Sequence, residues 1–147
     1  MSGVDSHQTI AQLQSILMRS VLNQQPLPGQ TAPIRFPDLA FILEAATVLV
    51  SDENVPDEFD AKGLGKPVEI IPEQEIRRKA AAKGDMPYVY FQPAEQTEKE
   101  VRLVMEVRMA PKEPHIEPLG LGAISTTFVR IDHGDWQVIS TPMVIAM

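Results

Sequence analysis

The chain contains no cysteine. A disulfide scaffold, thiolate zinc sites and a cysteine nucleophile are therefore excluded, and a reducing compartment fits. Positive charge is scarce too: 13 Lys and Arg stand against 20 Asp and Glu, a formal net charge of -7. Nucleic acid and anionic membrane need a basic footprint, so neither is expected as a partner. Long hydrophobic runs are missing. The longest nearly apolar stretch, LAFILEAATVLV at 39–50, contains Glu44 and is too short to span a bilayer. The opening MSGVDSHQTIAQLQ has no basic n-region and no apolar h-region, so a cytoplasmic location is expected.

Several chemical signatures are missing as well. KGLGKP has Pro67 where a phosphate loop needs a hydroxyl residue, and GLGAIS lacks the third glycine of a dinucleotide fingerprint. In the acidic run SDENVPDEFD, counted from Asp52, Pro56 falls at position 5 and Asp57 at position 6, which breaks a calcium loop. His7, His115 and His133 lie far apart and form no zinc-type pair. No serine sits in a GxSxG elbow. The reading is no catalytic residue, no metal and no cofactor.

What the chain does have is a globular balance: 147 residues, 44% hydrophobic and 22% charged. That suffices for one domain with a real core, taken to span 1–147. Ile10, Leu13, Leu17 and Val21 recur at helical spacing and predict an amphipathic helix over 6–23. The proline-rich connector 24–37 follows and reads as an ordered strap rather than a linker. A second helix is expected over 39–50, although TVLV at its end favours strand. VEII predicts a short strand. PEQEIRRKAAAKG predicts a helix with Pro72 at its start, acids in its first turn and Gly84 as its stop. Its basic cluster, Arg77, Arg78, Lys79 and Lys83, reads as a solvated surface with i,i+4 pairs from Glu73 to Arg77 and from Glu75 to Lys79.

From Met86 the period changes to two. YVYFQ predicts a strand, and in VRLVMEVRM the residues Val101, Leu103, Met105, Val107 and Met109 share one face. LGAISTTFVRI and WQVISTPMVIAM predict two more strands. Pro142 places the last at an edge or a bend. The expected fold is α+β: N-terminal helices packed on one face of a curved antiparallel sheet of about four to five strands. Over residues 70–147 this order, with its closing FVRIDHGDWQVI hairpin, resembles the small cone-shaped nuclear-transport-factor-like and cystatin-like domains. Such domains host enzymes, ligand binders and assembly modules, so the resemblance leaves function open.

The hairpin packs Asp132, His133 and Asp135 into four residues. A turn at His133-Gly134 puts Ile131 opposite Trp136 and Val129 opposite Val138, so the cluster reads as a solvated turn. Trp136 is then expected to be largely buried. In that register Thr126, Arg130, Gln137 and Thr141 share a face with Phe128 and Ile139. Two functions follow. The first is a non-enzymatic binding or assembly module, a homodimer that buries Phe128 and Ile139 between sheet faces. The second is a small-molecule binder or enzyme with a pocket between sheet and helices, lined by Thr126, Arg130, Gln137 and Thr141.

Overall fold

In the computed structural model, which describes residues 3–131 and 134–147, the first helix α1 runs Gly3–Asn23. Leu13, Leu17, Met18 and Val21 are buried along one stripe, while Gln12 and Arg19 face water. The helix stops without a glycine. Gln24 takes φ 51, and the Gln25 amide donates to Ser20 O at 2.9 Å, closing a left-handed stop.

The proline-rich segment is a strap. Leu27, Ile34 and Phe36 enter the core, and the Val138 amide donates to Pro28 O at 2.8 Å. The helix expected over 39–50 is cut short. After a 3-10 turn at Pro37–Leu39, α2 covers only Ala40–Leu43, and Val48–Ser51 forms strand β1. The reason is tertiary: β1 is hydrogen-bonded on both sides, and such pairing overrides the helix propensity of the preceding Leu and Ala residues.

VEII is strand β2 (Val68–Ile71), and PEQEIRRKAAAKG gives α3 (Glu73–Lys83), ended by Gly84 at φ 113. Strand β3 (Met86–Phe91) follows. Both β2 and β3 run parallel to β1, which lies between them, so α3 is the crossover of a split βαβ unit. The rest is antiparallel: β4 (Glu95–Gln96), β5 (Glu100–Ala110), β6 (Leu119–Arg130), β7 (Trp136–Gln137) and β8 (Met143–Ala146). The sheet order is β2-β1-β3-β5-β6-β7, with β4 on β5 and β8 on β6. The fold class is α+β, but the sheet is mixed and has eight strands rather than four to five antiparallel ones. Its parallel half and crossover helix give the cone-shaped resemblance no support.

The helices also lie on two faces, not one. Val48, Val50, Val89 and Phe91 join Leu13, Leu17 and Met18 of α1 in the main core, whereas Leu49 and Tyr88 pack with Ile76 and Ala80 of α3. Alternation along β1 and β3 places these two clusters on opposite sides of the sheet. On β5, Val101, Leu103, Met105 and Val107 face the α1 side; on β6, Ile124, Thr126 and Phe128 do.

The closing hairpin is shifted by one residue from the expected register. Val129 pairs with Gln137, and Arg130 pairs with Trp136. Gly134 at φ 84 donates its amide to Ile131 O at 3.1 Å, and the Ile131 amide donates to Asp135 O at 2.8 Å, so Asp135 rather than Trp136 faces Ile131. One residue of slip moves a side chain to the other face. Trp136 and Val138 therefore join Phe128 on the α1 side, with Val138 fully buried and Trp136 half-buried rather than largely buried. Asp132 and His133 lie outside the described residues. The final predicted strand is broken at Pro142, which has no amide for a ladder, and leaves β7 and β8 as separate pieces along one edge of β6.

Candidate functional site

The four residues expected to line a ligand pocket are not brought together. Thr126 is sealed in the core, its hydroxyl without a partner. Arg130 is exposed at the end of β6, its guanidinium over the Trp136 ring. Gln137 pairs with Val129 and so lies on the opposite face from Thr126 and Arg130. Thr141 sits in the bend before β8. There it borders a groove of about 210 Å3 with Gln30, Ile34, Arg35 and Ile124. Of the two residues expected at a dimer interface, Phe128 is fully buried inside the chain and is not a surface residue; Ile139 is 69% exposed. The space between α1 and the sheet is filled by Leu13, Leu17, Phe91, Leu103 and Phe128.

A polar cluster on the α3 side went unseen in the sequence. Glu106 is 3% exposed and accepts from Gln92 Nε2 at 2.7 Å and from Arg108 Nε at 2.8 Å. The Arg108 guanidinium lies 3.7 Å from the Tyr90 ring centroid and 3.7 Å from a Glu73 oxygen. Burial works to lower the Arg108 pKa, but the Glu106 carboxylate and the Tyr88 phenol outweigh it, and the net shift is upward. The Tyr88 hydroxyl is buried beside Arg108 and Glu73 without meeting either in hydrogen-bond geometry. Burial is the main cause that pushes its phenol up, so it stays protonated at neutral pH and is no base. The charged groups here, Glu106, Arg108 and Glu73, are held by their neighbours. The cluster locks β3, β5 and α3 together. The sequence carries a trace of it: Tyr88 and Tyr90 share parity, as do Glu106 and Arg108. Only the β3–β5 register, Tyr88 to Arg108 and Tyr90 to Glu106, joins them.

The other basic residues of α3 are engaged differently from expectation. Arg77 reaches Pro114 O at 3.0 Å and Glu117 at 3.5 Å, and Arg78 pairs with Glu75 one turn back. His115 is on an exposed loop near Glu113. Among the described residues no group of three His, Cys, Asp or Glu side chains gathers to hold a metal. No helix among them is long and apolar enough to cross a membrane.

The feature that stands out is the edge formed by β8. All four of its residues are exposed, with Met143 at 66%, Val144 at 48% and Ile145 at 37%. Among the described residues no strand pairs with its outer side. Ile145 stands opposite Ala123, and Met143 opposite Ser125, so both extend the α3-side face across β6. Met147 lies over Gly120, where a Cβ would come within 2.7 Å of its methyl carbon. Residues 136–147, WQVISTPMVIAM, carry no charged side chain, in a chain that is 22% charged.

No protein-family model, curated protein or solved structure matches the chain.

Proposed function

We propose that the chain is a non-enzymatic, cytoplasmic assembly module that works through its C-terminal sheet edge. The observation that carries this reading is β8, an edge strand that is exposed, apolar on both faces and free of charge. Sheet edges are ordinarily protected by Lys, proline or a covering loop, because their open N–H and C=O groups recruit other strands. Among the described residues, Pro142 stands just before the strand and the strap borders one face of it, and no Lys or Arg lies within it.

A second reading rests on the groove between strap and β8, where Gln30, Arg35 and Thr141 stand among Ile34, Ile124 and Val144. A few polar groups on apolar walls suit a small ligand. A thermal-shift screen with metabolites and divalent metals separates the two, since a ligand of the native state raises the midpoint. The assembly reading predicts no hit that depends on this groove. A hit abolished by Thr141→Val and Arg35→Ala would replace it with the ligand reading.

A further inference from the structure

We infer that the partner of β8 is a second copy of the chain, paired antiparallel to it about a two-fold axis normal to the sheet. The inference rests on the assembly reading above and names its partner. Two observations favour self-pairing. A strand pairs with its own copy only if no like charges meet, and 136–147 has none, although the whole chain carries -7. The faces match as well. A two-fold normal to the sheet keeps each face continuous, so residues of equal parity must oppose.

Pro142 then selects the register. It offers no amide, so a ladder centred on Val144 would waste its Pro142–Ala146 position. Centring on Ile145 leaves Pro142 outside. Ile145 then faces Ile145 of the partner subunit, Val144 faces Ala146 of the partner subunit, and Met143 faces Met147 of the partner subunit. Met143, Ile145 and Met147 on one face, and Val144 on the other, are exposed apolar side chains that such a contact would cover. The row Tyr90, Glu106, Ala123, Ile145 would continue unbroken into the second sheet. The contact is small beside the roughly 1,200 Å² of a stable interface, so a weak, concentration-dependent dimer is the expected form.

The test uses the absence of native cysteine: a single introduced thiol can form a protein disulfide only between chains. Ile145→Cys and Val144→Cys are oxidised side by side at high protein concentration, with far-ultraviolet circular dichroism confirming the fold of each. Directly opposed Cβ atoms lie about 4.5–5.5 Å apart, within reach of a disulfide after slight adjustment, whereas residues one step off register do not meet. Ile145→Cys should cross-link at least roughly tenfold faster than Val144→Cys. Equal, slow rates in both would overturn self-pairing. Amide exchange on dilute wild-type protein then tells which idea has failed. The amides of 143–147 that point towards β6 are protected in either case. Fast exchange at those that point away from β6, with no cross-link, leaves an open edge, so the assembly reading stands and the self-partner is wrong. Strong protection of the outward amides in the dilute monomer means the edge is already covered within the chain, and both readings fall.

Discussion

Arg130 stands directly opposite Trp136 across the β6–β7 pair, its guanidinium carbon 4.7 Å from the ring centroid. The pair reports the register. A double-mutant cycle of Arg130→Gln and Trp136→Phe should give a coupling of about 0.5–1 kcal/mol, as exposed cation–π contacts do. In the shifted register Ile131 faces Asp135, and a cycle between Ile131→Ala and Trp136→Phe should give almost none. The reverse pattern would restore the Ile131–Trp136 pairing.

Among the described residues Glu106 is the one carboxylate held deep in the sheet, and Arg108 and Gln92 satisfy it. Arg108→Leu should cost about 3 kcal/mol or more in urea unfolding, because it strands a buried charge. Adding Glu106→Leu should recover much of that loss. A single variant as stable as wild type would show the pair to be idle.

Tyr88 supplies a pH dependence. Burial lifts its phenol above the ordinary value of 10.0, so the folded chain keeps that proton while the unfolded chain loses it. Its contribution is intact below pH 10 and is lost as pH rises beyond, at up to about 1.4 kcal/mol per unit. Tyr88→Phe should flatten the stability profile above pH 10. Since the hydroxyl has no partner, the variant should also be no less stable at pH 7. A marked loss at neutral pH would reveal a hydrogen bond at that hydroxyl.

Gly29 ties the strap to the sheet. It sits at φ 88, and a Cβ there would lie 2.7 Å from Val138 O. Gly29→Ala should cost roughly 1–3 kcal/mol through backbone strain and the lost close approach. Chemical denaturation reads this directly, and a change under about 0.5 kcal/mol would place the strap elsewhere.

Much of the local structure was legible. The α1 stripe, the proline-first and glycine-last α3, and the alternation of β5 are periodic signals that need no distant partner. What was illegible depends on contacts far apart in sequence. TVLV became β1 only because β2 and β3 flank it, and parallel pairing leaves no local mark. The hairpin slipped because Asp135, not Trp136, closes on Ile131, and that one residue turned Trp136 and Val138 towards the α1 core. Phe128 has the pattern of a surface residue in the sequence, which does not show α1 and the strap lying over β6. The apolar character of 143–147 was visible from the start; that it forms a bare edge was not.

The account turns on β8, and sedimentation equilibrium of wild type beside Ile145→Lys measures it most directly. The introduced lysine would face its own copy in the partner, placing like charges in contact. Wild type should move from monomer to dimer mass with a dissociation constant on the order of tens of micromolar, and Ile145→Lys should remain monomeric with an unchanged circular dichroism spectrum. A wild type that stays monomeric throughout, or a dimer that Ile145→Lys leaves intact, would contradict it.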